Sequence, residues 1–140
     1  PPKGERGVGF SRANLFGANF EKYKNNKIKP LVFAIIESKT GYENLNEILN
    51  VDSLDGIFIG PYDLSADLGK PGNFNTSDYN ACRAAIRDAC IANDKAPGIH
   101  QVEPDIESLK ARQEEGYRFI AFGTDIIAIR HAFEGLGELS

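Results

Sequence analysis

Four short apolar runs punctuate the chain: "LVFAII" within 31–37, "GIFIG" at 56–60, "APGIH" at 96–100 and "RFIAFG" at 118–123. Each is too short for a buried helix and is bounded by Gly, Pro or polar residues, so each reads as a strand. Between them, apolar residues recur at helical spacing. Leu45, Ile48 and Leu49 mark a helix after the first strand, with Ser38 or Thr40 as its cap. Cys82, Ala85, Ile86, Ala89 and Cys90 form the inward stripe of a helix over 78–93, capped by Thr76 or Ser77. A third helix over 104–115 carries Pro104 in its first turn and stops at Gly116. A fourth, over 125–135, has Ile127, Ile129, Ala132 and Phe133 as apolar positions. After the second strand, Asp63 to Ser65 fit a short turn and 67–78 reads as turn-rich loop.

The order β-α-β-α-β-α-β-α predicts an α/β fold, a parallel sheet covered by helices. Ahead of it, 1–9 reads as Pro/Gly-rich loop, and 10–26 as one or two short helices bearing Phe10, Phe16, Phe20 and Tyr23, interrupted near Gly17. The chain therefore reads as one domain, 1–140, made of a loop and helical arm (1–30) and four β/α units (31–140).

Composition narrows the partners. The 140 residues suffice for one core, and the net charge of -4 is spread along the chain with no basic stripe, so nucleic acid is not an expected partner. No apolar run approaches the ~20 residues that span a bilayer, so no membrane is expected. Cys82 and Cys90, the two cysteines, lie about 12 Å apart if helical, too far for a disulfide. They read as core thiols of a protein from a reducing, cytoplasmic compartment. The absence of methionine predicts a piece of a longer chain.

Parallel α/β folds bind ligands at the carboxyl ends of their strands. Glu37, Asp63, His100 and Asp125 all fall there. Carboxylates on adjacent strand ends suit a hard divalent cation such as Mg²⁺ or Mn²⁺, with positions left over for the keto and carboxylate oxygens of a 2-oxo acid. Capping or surface roles for Glu37 and Asp63 stay open at this point. Gly60-Pro61 turns the backbone so that the amides of Tyr62 and Asp63 face a ligand carboxylate; a plain strand terminator is the other reading. His100 reads as a strand-end polar residue rather than a base, and His131 as a surface or packing residue. Arg6 and Arg12 read as surface positions that an anionic substrate or a neighbouring subunit can meet. "GVGF" lacks the strand and helix that a nucleotide fingerprint requires.

Along almost its whole length the sequence resembles the HpcH/HpaI aldolases, the metal-dependent class II pyruvate aldolases of the pyruvate/phosphoenolpyruvate barrel superfamily. "PPKGERGVG", "IIESKTGYENLNEIL", "LDGIFIGPYDLSADLGKPG", "APGIH" and "GYRFIAFGTD" carry the likeness, the third most specifically. The resemblance implies the C-terminal half, strands five to eight, of a TIM (β/α)8 barrel whose complete form has about 250 residues. It implies Glu37 and Asp63 as ligands of a divalent cation (Mg²⁺, Mn²⁺ or Co²⁺), and backbone contacts from Tyr62 and Asp63 to a pyruvyl carboxylate. Ile35 stands where some members use a substrate-contacting glutamine, and Tyr62 where some have a smaller residue. The family's histidine base and enolate-stabilising arginine have no counterpart here, so no catalytic base is expected in this chain. The implied activity is carbon–carbon lyase: retro-aldol cleavage of a 4-hydroxy-2-oxo acid to pyruvate plus an aldehyde. The alternatives are a CoA-thioester lyase of the citrate lyase β-chain type and a non-catalytic, metal-binding, self-associating half-barrel. A homo-oligomer exchanging its last helix is the expected assembly.

Overall fold

The computed structural model describes residues 9–25 and 30–136. Two compact units divide it, Pro1–Pro30 and Leu31–Ser140. In the first, a 3-10 helix (Arg12–Gly17) precedes α1 (Phe20–Asn25). Buried Asn14 organises it: its Oδ1 accepts from the amides of Ser11 (3.0 Å) and Gly17 (3.1 Å), and its Nδ2 donates to the Gly9 carbonyl. The break expected near Gly17 is present.

The second unit is a four-stranded parallel sheet in the order β1-β2-β3-β4. The strands are Phe33–Ile36, Gly56–Ile59, Ala96–Gln101 and Phe119–Phe122. Three are shorter than the sequence predicts and the third is one residue longer. Helices α2 (Lys39–Glu43) and α3 (Leu45–Leu49) follow β1, α4 (Pro61–Asp67) and α5 (Ser77–Ala92) follow β2, α6 (Ile106–Glu114) follows β3, and α7 (Asp125–Ala132) follows β4.

The strand register fixes two faces, because successive side chains alternate. Ile36, Ile59 and Ile99 are level with one another, as are Ala34, Ile57 and Pro97. They form the helix-packed face. Leu45, Leu49, Leu64, Cys82, Ile86 and Cys90 close over it as one core. Burying each such Leu or Ile contributes about 1.5–3 kcal/mol. The opposite face carries Phe33, Ile35, Phe58, His100 and Phe119, and it is open: Ile35 is 58% and Phe119 43% exposed. The Phe33 and Phe119 rings stack 4.5 Å apart, with Phe58 edge-on to Phe119. Gly56 and Gly98 on the inner strands make this possible. A Cβ on Gly56 would run into the Phe33 ring, and one on Gly98 would sit 3.1 Å from the Phe119 ring.

Several expectations need adjusting. The helix after β1 is two helices, broken at Asn44 (φ -96, ψ 14), whose side-chain amide donates to the Thr40 carbonyl. Ser38, not Thr40, caps the first, and Thr76, not Ser77, caps α5. Pro104 lies outside α6, because Asp105 caps that helix by accepting from the Ser108 amide. The segment after β2 holds a helix, α4, where a short turn was expected; Pro61 takes its first position, where the missing N–H is no loss. Among the described residues no helix is long and apolar enough to cross a membrane.

Candidate metal and substrate site

Glu37 follows β1 directly and Gly60 follows β2, with the Gly60 amide donating to the Ile36 carbonyl at 3.1 Å. One register step beyond Ile36, Ile59 and Ile99, the row Glu37, Gly60, His100 lies on the open face. Gly60 is the gap in that row. A Cβ there would stand 3.2 Å from the Glu37 Cβ and 3.5 Å from its Oε2. The missing side chain therefore leaves room for the stem of Glu37, with its carboxylate at ordinary contact distance.

Asp63 lies three residues on, in the first turn of α4. Gly60 is the N-cap and supplies no side chain, and Asp63 makes no capping bond, so the capping role left open for it is not what holds this turn. Ser65 does that work: its hydroxyl donates to the Tyr62 carbonyl at 2.8 Å and accepts from the Gly72 amide at 3.0 Å. Neither Glu37 nor Asp63 has a hydrogen-bond or ion-pair partner among the described residues, and both are exposed. The amides of Tyr62 and Asp63 belong to the helical turn whose donors have no intrahelical acceptor.

The other predicted positions are placed as follows. Ile35 lies on the open face, one step below Glu37. His100 is half-buried and stacks on Phe58 with ring centroids 6.3 Å apart. Asp125 turns back on its own helix and accepts from the Ile126 amide at 2.8 Å. His131 is on α7, engaged by Glu103 at 2.8 Å and Glu134 at 3.2 Å. Arg12 is exposed on the 3-10 helix, and Arg6 lies outside the described residues. Burial pushes the thiols of Cys82 and Cys90 up to about 11, so neither is a nucleophile at neutral pH.

Two features escaped sequence reasoning. A pocket of about 170 Å³ opens beside Tyr62, walled by Phe74, Tyr79, His100, Gln101 and Arg112. Burial pushes the Tyr79 hydroxyl up to about 12, so it stays a donor there. The second is Asp67, the last residue of α4, whose Oδ2 accepts from the Lys39 amide at 2.6 Å.

Among the described residues no three His, Cys, Asp or Glu side chains group to hold a metal. Two oxygen ligands do fit a hard cation that keeps several waters, and Gly60 leaves room for the Glu37 side chain beside it. Residues 1–132 match the family model described as HpcH/HpaI aldolase/citrate lyase.

This chain belongs to the HpcH/HpaI aldolase/citrate lyase family. It is 34% identical over 139 residues to the 5-keto-4-deoxy-D-glucarate aldolase of Escherichia coli, covering 99% of this chain and 54% of that protein. An HpcH/HpaI aldolase/citrate lyase family protein from Burkholderia cenocepacia J2315 superposes with a TM-score of 0.78 at 29% identity, over 99% of this chain and 54% of that one. An HpcH/HpaI aldolase from Desulfitobacterium hafniense DCB-2 has the same fold, with a TM-score of 0.78 at 24% identity over 99% and 54% of the two chains. The chain thus spans about half the length of the HpcH/HpaI relatives it matches.

Proposed function

We propose that this chain is the metal-holding half of a carbon–carbon lyase that cleaves a 4-hydroxy-2-oxo acid to pyruvate and an aldehyde. In this reading the four β/α units are strands five to eight of a (β/α)8 barrel. One observation carries it: at the carboxyl end of a parallel sheet, Glu37 lies against the Gly60 gap and Asp63 lies in the helical turn that follows Gly60, both without a hydrogen-bond or ion-pair partner among the described residues. The Escherichia coli relative is named for 5-keto-4-deoxy-D-glucarate, a keto acid, which supports an acidic keto substrate here.

A bound Mg²⁺, Mn²⁺ or Co²⁺ supplies Lewis acidity toward the keto oxygen of such a substrate. Glu37 and Asp63 hold the cation. The amides of Tyr62 and Asp63 present donors to the substrate carboxylate, and the Tyr62 ring narrows the mouth beside them. Ile35 and Phe58 give the floor an apolar surface. Ile35 cannot donate the hydrogen bond that a glutamine would. The proton on the 4-hydroxyl must leave as the C–C bond breaks. The base and the arginine that the resemblance implies belong to the other half of the family fold.

Mn²⁺ titration followed by electron paramagnetic resonance tests the site. Asp63→Asn keeps the shape and removes the charge, so Mn²⁺ affinity should fall by about tenfold or more if Asp63 is a ligand. Asp63→Asn that binds Mn²⁺ like the parent overturns the assignment. Pyruvate release from free acids, compared with CoA esters, separates the aldolase reading from the thioester lyase.

A further inference from the structure

Asp67 plays no part in the chemistry above. It closes α4 and reaches across to the start of α2, where its Oδ2 accepts the Lys39 amide at 2.6 Å. Lys39 is two residues beyond Glu37. No nearer group serves that amide, because the Ser38 hydroxyl is committed to the Gly41 amide at 3.1 Å. The Lys39 ammonium points elsewhere, toward Glu43 at 3.7 Å. The Asp67 carboxylate is therefore bound to the backbone, and a neutral amide oxygen meets the same need.

The spacing gives this bond a consequence for the proposed metal pair. Asp63 and Asp67 stand four apart on one face of α4, about 6 Å along its axis. Glu37 and Lys39 are separated by two residues of chain, about 7 Å when extended. The helix and the β1–α2 connection thus run side by side and are fastened at two points. Gly60 lies against Glu37 at one end, and Asp67 holds Lys39 at the other. Asp63 sits between the fastenings.

We propose that Asp67 is a positioning residue: by gripping the Lys39 amide it locks α4 to the β1–α2 connection and so fixes the separation of Glu37 and Asp63. The inference rests on the metal-site reading. It assigns Asp67 no contact with metal or substrate. Removing a group that hydrogen-bonds a ligand directly lowers metal affinity by about 10- to 100-fold in known sites, and Asp67, acting from two residues of chain away, belongs at the low end of that range.

The test is Mn²⁺ affinity by electron paramagnetic resonance on the folded chain and its variants, with circular dichroism and Tm recorded in the absence of metal. Asp67→Ala should weaken Mn²⁺ binding about tenfold, and Asp67→Asn, which keeps an acceptor oxygen, should stay within about twofold of the parent. Equal affinities for the parent and Asp67→Ala overturn the inference. So does an equal loss in both variants, which would make Asp67 a ligand through its charge. A lowered Tm in Asp67→Ala with unchanged affinity makes it a helix clamp only and also overturns it. Glu37→Gln distinguishes the two levels of failure: if it too binds Mn²⁺ like the parent, or if the parent binds none, the metal reading itself falls.

Discussion

Gly60 shows how much a single missing side chain decides. Its backbone (φ -89, ψ 96) is open to any L-residue, so an alanine there is not strained by conformation. The constraint is the 3.2 Å approach to the Glu37 Cβ. Gly60→Ala should leave the fold and Tm nearly intact while shifting the Glu37 side chain by a few tenths of an ångström through its Cβ, lowering Mn²⁺ affinity by about tenfold. An unchanged Mn²⁺ titration for this variant would mean that the gap does not serve Glu37. Glu37 and Asp63 were legible as candidates because each follows an apolar run at a strand end. The gap between them was not, since Gly60 in sequence reads equally well as a strand terminator. Only the register that sets Gly60 level with Glu37 gives it a reason. Asp67 was illegible for the same cause: its acceptor role joins positions 28 apart.

At the scale of elements, the strands were legible and their partners across the fold were not. Arg83 on α5 is buried and pairs with Glu115 at the end of α6, with Tyr117 beside both. No periodicity links 83 to 115. Burial alone would raise the Glu115 carboxyl, but the hydrogen bond and charge of Arg83, with Arg112 and Arg87, hold it below the ordinary carboxylate value. A carboxylate depressed by folding stabilises the fold above its unfolded pKa and loses that contribution as pH falls through the folded one. Glu115→Gln should therefore cost about 2 kcal/mol at neutral pH. The gap to the parent should close as the pH drops through the acid range below 4.5. Urea titrations at several pH values read this directly, and a gap constant with pH would remove the ion pair from the account. Helix α4 was missed because its seven residues begin at the proline of Gly60-Pro61 and end just short of Gly69-Lys70-Pro71, with Leu64 its one member of the hydrophobic core. Gly98 is a further element-level constraint. A Cβ there would lie 2.9 Å from the Ile57 carbonyl oxygen and 3.0 Å from that of Phe119. Gly98→Ala should destabilise by about 1–3 kcal/mol through overpacking between strands, measured by chemical denaturation.

For the whole molecule, the α/β class and parallel order followed from the alternation of short apolar runs and helical stripes. Which face would be left open did not, because both faces of β1, β2 and β4 are apolar. The open face and the outward side of α7, where Ile126, Ile129 and Phe133 are exposed, predict association. Sedimentation of the 140-residue chain at micromolar concentration should show dimers or larger species, and a compact monomer would count against a half-barrel. The same chain should release no pyruvate from 4-hydroxy-2-oxo acids with added Mn²⁺; robust turnover would show that the base lies within it. The stacked rings of Phe33 and Phe119 carry one more consequence, and it concerns time. They join the first strand to the last, 86 positions apart, whereas each neighbouring strand pair closes a much shorter loop. Closing the longest loop earns its contact only after the inner strands are in place. The stack should thus form late on the folding route, after the rate-limiting step. Replacing Phe119 with leucine should leave the refolding arm of a chevron almost where it was and speed the unfolding arm.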